Sequence, residues 1–201
     1  MKYSWIFLLL SELFYNDIKI GNVHVSIYRK EENMLKKIKE KCKKIKLVLS
    51  DVDGVITDGG MFYTESGEEF KKFNTRDGMG VELLQKNKIN TIFLTKENSK
   101  ISRARAKKLN SKIYLGIENK EKKLKDICKM LNIKPLNIAY IGDDVNDVSI
   151  MKLVGISASP NDGVYEVKKI ANYICKNNGG EGAFREFADL IIDNKFNRRF
   201  L

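Results

Sequence analysis

The chain has 201 residues, of which 43% are apolar, enough for one domain with a hydrophobic core and an appendage. It carries 37 Lys and Arg against 26 Asp and Glu, which gives a formal net charge of +11. The lysines are scattered over predicted helical faces, with one cluster at residues 36–46, and no nucleic-acid-binding motif accompanies them. We therefore expect a solvated surface that attracts anionic substrates, and not a nucleic-acid-binding protein.

The three cysteines are Cys42, Cys128 and Cys175, and their wide spacing forms neither a disulfide framework nor a metal-binding pattern. Free thiols persist in a reducing compartment. We therefore expect a cytoplasmic protein.

Residues 1–44 contain no functional motif, and we predict an N-terminal extension of unknown role. The apolar run at residues 5–10 is too short to span a bilayer, so a membrane role is disfavoured. Residues 23–28 alternate between apolar and polar side chains, which predicts a strand. Two origins of the first 33 residues stay open: a start assigned upstream of a native one at Met34, or an appendage specific to a lineage.

Strand-like and helix-like segments alternate from residue 45 to residue 192, and this pattern predicts an α/β domain with a parallel sheet. Residues 193–201 are expected to form a C-terminal tail. Strands are predicted at 46–50, 91–95, 112–115, 138–141, 154–157 and 172–175. Helices are predicted at 78–87, 99–109, 119–131, 144–152, 162–169 and 181–192.

An insertion at residues 60–74 separates the first predicted strand from the first helix. Residues 61–64 and 69–73 flank the turn-forming segment Glu65-Ser66-Gly67-Glu68, which predicts a β-hairpin. An isolated two-stranded ribbon is only marginally stable in water. Because Phe62, Phe70 and Phe73 would be partly exposed on it, we expect the hairpin to pack against a partner surface.

Two acidic clusters follow two apolar runs that are predicted to be buried strands. Asp51 and Asp53 follow residues 46–50, and the segment Gly142–Asp147 follows residues 138–141. Alternate residues of a strand share a face, and parallel strands end at one edge of a sheet, so the clusters should meet there. Either cluster alone would fit a turn or a helix cap, but the pair indicates a site for a hard cation such as Mg²⁺.

Four segments resemble, in order, the signature motifs of haloacid-dehalogenase-type phosphatases. They are Asp51-Val52-Asp53-Gly54-Val55, Thr95, Lys120 and Gly142-Asp143-Asp144-Val145-Asn146-Asp147. The resemblance implies a Rossmann-like fold, with helices flanking a parallel sheet and no large cap domain.

The resemblance also implies a catalytic role for four residues. Asp51 would be the nucleophile that forms an aspartyl-phosphate. Asp53 would protonate the leaving alcohol and then deprotonate the attacking water. Thr95 would donate a hydrogen bond to a phosphoryl oxygen, and Lys120 would neutralise phosphate charge.

A Mg²⁺ ion is implied as the cofactor. The carboxylates of Asp51 and Asp143 and the backbone carbonyl of Asp53 would hold it, with water completing the shell. Asp144 and Asp147 would lie in the outer shell or be structural.

The hairpin region and the segment from Gly179 to Glu186 resemble small capless phosphatases of eight- or nine-carbon 2-keto-3-deoxy sugar acid phosphates. Glu97, Arg105 and Lys108 resemble the nonulosonate 9-phosphate type, such as N-acylneuraminate 9-phosphate phosphatases. Arg76-Asp77-Gly78 resembles the 3-deoxy-D-manno-octulosonate 8-phosphate type, and Lys96 departs from both. The sequence favours the nonulosonate type, with these expected substrate contacts: Thr75, Arg76, Glu97, Arg105, Lys108 and Arg185.

The resemblance further implies a homotetramer in which hairpins join across subunits and a neighbouring subunit covers the site. Arg105 and Lys108 would reach a neighbour's substrate, and residues 179–182 would form a mobile tail segment. The alternative is a non-catalytic domain that assembles with a sugar nucleotidyltransferase, and the intact acidic set argues against it.

Overall fold

The computed structural model describes residues 23–197, and within that range the side chains of residues 33–67 and 70–197. The chain divides into two compact units, of which the first ends at Lys37 and the second begins at Ile38. The apolar run at residues 5–10 lies outside the described residues. Among the described residues, no helix has the length and apolar character needed to cross a bilayer.

Eight strands are present in the described residues. Six of them form one parallel sheet in the order β5-β4-β1-β6-β7-β8, and β2 pairs with β3 in a separate antiparallel ribbon. The strands are β1 (Leu47–Ser50), β2 (Phe62–Thr64), β3 (Gly67–Phe70), β4 (Asn90–Leu94), β5 (Lys112–Tyr114), β6 (Ile138–Ile141), β7 (Ile156–Ser159) and β8 (Tyr173–Ile174).

Helices connect the strands on both faces of the sheet. Short 3₁₀ turns at Pro135–Asn137 and Val145–Asp147 precede β6 and the fifth helix. The α-helices are α1 (Val23–Lys43), α2 (Thr75–Lys86), α3 (Lys100–Lys108), α4 (Lys120–Leu131), α5 (Val148–Met151), α6 (Tyr165–Ile170) and α7 (Ala183–Phe196).

The centre of the sheet is buried on both faces, which explains why its strands read as short apolar runs. All four residues of β1 are buried, and its side chains alternate between two core clusters. Val48 faces the cluster built with α2 and α7, to which Ile38 and Cys42 also belong. Leu47 and Leu49 face the cluster built with α4, α5 and α6.

The predicted parallel sheet is confirmed, and each of its six predicted strands has a counterpart shifted by at most two residues at either end. The strand predicted at residues 23–28 is wrong, because these residues begin α1. The alternation covers only six residues, and the Lys-, Glu-, Met- and Leu-rich segment that follows favours a helix. α7 also extends to Phe196, so the first residues of the expected tail at 193–201 are helical.

The helix predicted at 78–87 begins three residues earlier, at Thr75. The side chain of Asn74 accepts a hydrogen bond from the backbone N of Arg76 and so caps the helix. The predicted helix at 144–152 is a 3₁₀ turn followed by the short α5, and Asp144 caps that turn.

The predicted hairpin is confirmed as the ribbon β2-β3. An isolated bridge between Thr57 and Phe73 closes its base, and Phe73 packs against the core. Its other aromatic side chains are exposed: Phe62 by 62%, Tyr63 by 62% and Phe70 by 67%. The ribbon therefore offers an apolar surface for a partner.

One buried carboxylate fixes the start of α7. The N-cap residue of α7 is Gly182, which has no side chain to cap the helix. Instead, Oδ1 of Asp77 in α2 accepts a hydrogen bond from the backbone N of Arg185 at 3.0 Å. A negative charge is favourable at a helix N-terminus. Burial nevertheless raises the pKa of Asp77 from 3.8 to about 6, because the charged form loses solvation.

We expect Asp77 to make the fold less stable as the pH rises from about 4 to about 6. In this window the folded protein keeps a proton on Asp77 that the unfolded chain has released. The contribution of that proton to the free energy of unfolding therefore falls as the pH rises towards the pKa of Asp77 in the folded state. The pKa rise corresponds to about 3 kcal/mol. Asp77→Asn keeps the capping oxygen and removes the titration. Urea unfolding at about pH 4 and pH 7 should show a smaller stability difference for the variant; equal differences would contradict this assignment.

Candidate active site

The two acidic clusters meet at the carboxyl ends of the central strands. Asp51 follows β1 directly, and its backbone N donates a hydrogen bond to the carbonyl oxygen of Ile141, the last residue of β6. Asp143 follows two residues after β6. One carboxylate oxygen from each of Asp51, Asp143 and Asp147 lies within 4.8 Å of the others. The prediction that both clusters meet at one sheet edge is confirmed.

Lys120 supplies the positive charge of the cluster. Its Nζ lies 2.9 Å from Oδ1 of Asp51 and 2.5 Å from Oδ1 of Asp147, and its side chain is 1% exposed. Asn119 positions it by capping α4, since its side chain accepts a hydrogen bond from the backbone N of Lys122. A buried ammonium needs such partners because desolvation is costly.

Asp147 is held by donors on both carboxylate oxygens. The hydroxyl of Tyr140 donates to Oδ1 at 2.5 Å, next to Lys120. Oδ2 accepts hydrogen bonds from the backbone N of Asp143 at 3.0 Å and of Asp144 at 3.4 Å. Asp147 therefore shapes the loop that presents Asp143, while the exposed Asp144 side chain caps the following turn.

The electrostatics of the cluster favour a bound cation. Burial, followed by repulsion from Asp147, raises the pKa of Asp51 to about 7, although Lys120 opposes the rise. Burial, followed by repulsion from Asp51, raises the pKa of Asp143 to about 8. Oδ1 of Asp143 is buried and has no hydrogen-bond partner among the described residues. Carboxylate oxygens in this arrangement fit a hard divalent ion such as Mg²⁺.

Asp53 lies beside the cluster, and both of its carboxylate oxygens have partners. Oδ2 accepts a hydrogen bond from Oγ1 of Thr95, which follows β4, at 3.2 Å. Oδ1 forms an ion pair with Nζ of Lys71 at 2.6 Å. Sequence reasoning missed Lys71, because nothing in the local sequence distinguishes it from the adjacent Lys72.

The backbone packs closely around the loop that follows β1. Gly54 has φ +83°, and a Cβ atom there would overlap the carboxylate of Asp143. A Cβ atom on Gly179 would overlap the carbonyl oxygen of Gly54. The backbone N of Gly180 donates to the carbonyl of Val55 at 2.9 Å, and both late glycines are buried. The segment expected to be a mobile tail therefore packs against the loop after β1 at these two residues.

Two of the six residues expected to contact substrate are held by other groups of the chain. Arg105 donates from Nη2 to the carbonyl oxygen of Asn74 at 3.1 Å, and its guanidinium lies 5.5 Å from the ring centroid of Phe73. Nε of Arg185 contacts both carboxylate oxygens of Asp189, at 2.8 and 2.9 Å.

The other four expected contacts are more open. Thr75 and Arg76 are exposed on the first turn of α2, and Lys108 is exposed at the end of α3. Glu97 is half-buried, and its backbone N donates to Oγ1 of Thr95 at 3.0 Å, which places it next to the hydrogen bond between Thr95 and Asp53. Arg76 and Arg185 also line a cavity of about 220 Å³.

Residues 11–187 match the protein family described as haloacid dehalogenase-like hydrolase. The chain belongs to this family. The 3-deoxy-D-manno-octulosonate 8-phosphate phosphatase of Haemophilus influenzae is 36% identical over 156 residues, which cover 77% of this chain and 87% of that protein. The Escherichia coli K12 phosphatase of the same name is 36% identical over 153 residues, covering 76% and 81%.

Solved structures agree with this membership. A 3-deoxy-D-manno-octulosonate 8-phosphate phosphatase from Moraxella catarrhalis, in complex with magnesium, phosphate and KDO, has a TM-score of 0.78 at 35% identity, covering 81% of this chain and 94% of that one. The cobalt-bound H. influenzae phosphatase has a TM-score of 0.75 at 36% identity, covering 78% and 92%. The predicted fold class is confirmed, and the chain is a phosphoric monoester hydrolase of this family.

We expect Mg²⁺ to raise the melting temperature more at about pH 8 than at about pH 6. Asp51 and Asp143 have raised pKa values near 7 and 8, so at the lower pH the ion must displace protons from them. Differential scanning fluorimetry with and without Mg²⁺ would measure the shift, and titration calorimetry in two buffers would count released protons. Asp143→Asn should abolish most of the pH dependence; a shift of equal size at both pH values would contradict this account.

Proposed function

We propose that this protein is a Mg²⁺-dependent phosphatase that hydrolyses 2-keto-3-deoxy sugar acid phosphates through an aspartyl-phosphate. The observation that carries the proposal is the position of Asp51. It lies at the end of the central strand, paired with Lys120 at 2.9 Å, near Asp143, and two residues before Asp53. A nucleophile, a cation, a metal-binding carboxylate and an acid are thus gathered at one strand end.

The first step transfers the phosphoryl group to the enzyme. A carboxylate oxygen of Asp51 attacks phosphorus while the bond to the sugar oxygen breaks. Asp53 gives its proton to that oxygen, so the sugar leaves as an alcohol. Thr95 and Lys120 bind the phosphoryl oxygens and offset their charge.

The second step hydrolyses the aspartyl-phosphate. Asp53, now a carboxylate, takes a proton from water as the water oxygen attacks phosphorus. The bond between phosphorus and Asp51 breaks, so inorganic phosphate leaves and the free Asp51 carboxylate is restored. Asp51, Asp143 and the carbonyl of Asp53 would hold Mg²⁺, which would supply positive charge against the phosphoryl group. Asp144 and Asp147 would lie in the outer shell of the ion. Asp147 already accepts hydrogen bonds on both carboxylate oxygens, and Asp144 caps the following turn.

The substrate we favour is 3-deoxy-D-manno-octulosonate 8-phosphate. Relatives of that name are 36% identical over most of their length. The nonulosonate alternative depends on substrate contacts from Glu97, Arg105 and Lys108. The guanidinium of Arg105 already contacts the carbonyl of Asn74 and the ring of Phe73 within the chain. A nonulosonate 9-phosphate remains the second candidate because Glu97 adjoins Thr95.

Phosphate release from the two sugar acid phosphates, measured side by side with Mg²⁺, tests the function and the substrate. We expect the larger kcat/KM for the octulosonate, and the opposite order would favour the nonulosonate. Asp51→Asn should lower kcat by about 10³-fold or more, because the nucleophile is lost. Asp126→Asn, the same change at an exposed position of α4, is the matched control. If the wild type releases no phosphate from either sugar or from 4-nitrophenyl phosphate, the proposal is wrong.

We also propose that the hairpin joins subunits into a homotetramer. Phe62, Tyr63 and Phe70 are each more than 60% exposed on a ribbon of two short strands, which is only marginally stable without further packing. A second copy of the same ribbon would present the same apolar side chains as a partner surface, and closed symmetry would limit the size of the assembly.

Light scattering after size exclusion tests the assembly. We expect a tetramer for the wild type and smaller species for a Phe62→Ser, Phe70→Ser double variant, because the apolar contact is lost. Tyr165→Ser is the control, since Tyr165 in α6 is 71% exposed and lies outside the hairpin. A monomeric wild type, or a double variant that stays tetrameric, would contradict the proposal.

A further inference from the structure

A buried lysine connects the hairpin to the active site. Lys71 directly follows β3, and its side chain is 0% exposed. The next residue, Lys72, points outward: its side chain is 61% exposed and pairs with Asp58 at the surface. Successive side chains of an extended segment alternate in direction, which explains how two adjacent lysines reach such different surroundings.

One contact of Lys71 is with Asp53. Its Nζ lies 2.6 Å from Oδ1, while the Thr95 hydroxyl donates to Oδ2 at 3.2 Å. A desolvated ammonium is costly unless it is well paired, and a charge-assisted contact of this length is strong and directional. The two donors therefore fix the orientation of the Asp53 carboxyl group without substrate, and Lys71 still holds it when the Thr95 hydroxyl turns its single proton to a phosphoryl oxygen.

We propose that Lys71 is a positioning residue that holds Asp53 in the orientation needed for proton transfer. This rests on the proposed function, in which Asp53 serves first as acid and then as base. When Asp53 gives its proton to the leaving oxygen, the carboxylate that forms already faces the Lys71 ammonium. That carboxylate then accepts a proton from water, which restores the starting state. Lys71 itself forms and breaks no covalent bond.

Two other roles predict different behaviour. If Lys71 only closes the base of the hairpin, its loss should lower stability and affect all substrates alike. If Lys71 binds the phosphoryl group, its loss should also affect all phosphate esters alike. Only a role through Asp53 makes the effect depend on how much the leaving group needs a proton.

The test uses Lys71→Met and a series of aryl phosphates from nitrophenyl to phenyl, so no sugar is involved. The parameter is kcat/KM, which reports the steps up to departure of the leaving group. We expect Lys71→Met to lower it by about 10²-fold for phenyl phosphate and by less than about 10-fold for 4-nitrophenyl phosphate. Lys72→Met should behave as the wild type, because an exposed pair contributes little.

A double-mutant cycle shows whether Lys71 acts through Asp53. In the Asp53→Asn background, Lys71→Met should change kcat/KM by less than about 2-fold. Equal losses for all leaving groups, or losses that multiply with those of Asp53→Asn, would overturn the inference. Lys71→Gln, which keeps a hydrogen-bond donor, is the second variant; if both variants fail to fold, Lys71 is structural and the inference is wrong.

A crystal structure of the Lys71→Met variant gives a readout that needs no turnover. We expect the Asp53 carboxyl group to leave its position beside Thr95. An unchanged Asp53 would overturn the inference even if the enzyme is active. A wild-type protein without phosphatase activity would refute the proposed function. The orientation of Asp53 in the variant would still show whether Lys71 positions that carboxyl group.

Discussion

The cluster of three carboxylates, two buried and one half-buried, with one lysine at the ends of β1 and β6 is the constraint on which the rest of this structure depends. Asp51, Asp143 and Asp147 repel one another, and Lys120 compensates for only part of their charge. Burial raises the pKa values of Asp51 and Asp143, and this repulsion adds to the rise. A divalent cation would offset the uncompensated negative charge of the acids, and the bound ion would then attract the anionic ester.

The surrounding fold keeps this unfavourable cluster in place. β1 and β6 are buried on both sides, so the strand ends that carry the acids cannot move apart without exposing core side chains. Tyr140 and two backbone N–H groups orient Asp147, and the buried glycines of the late loop pack against Gly54. Asp77 joins α2 to the start of α7, which supports that loop. Stability elsewhere thus maintains an arrangement of charges that would be unstable alone.

The hairpin combines an exposed apolar surface with a contact to the active site. Its aromatic side chains are exposed, whereas its exit segment carries Lys71 to Asp53. An assembly formed through these aromatic side chains would steady the segment that carries Lys71. Oligomerisation and catalysis would then be linked through one short stretch of chain, although the site has no large cap among the described residues.

The sequence alone determined the parallel α/β fold, the hairpin and the meeting of the acidic clusters. These depend on local patterns, namely apolar runs that end in Asp and Gly, and on the rule that parallel strands end at one edge. The start of α2 at its Asn74 cap and the helical state of residues 23–28 were missed because competing local preferences differ by little. Only the tertiary structure decided that Lys71 and not Lys72 reaches Asp53, that Arg105 is held by Asn74 and Phe73, and that Gly179 packs against Gly54. Each of these depends on segments far apart in the chain, so no local sequence pattern encodes the distance between them.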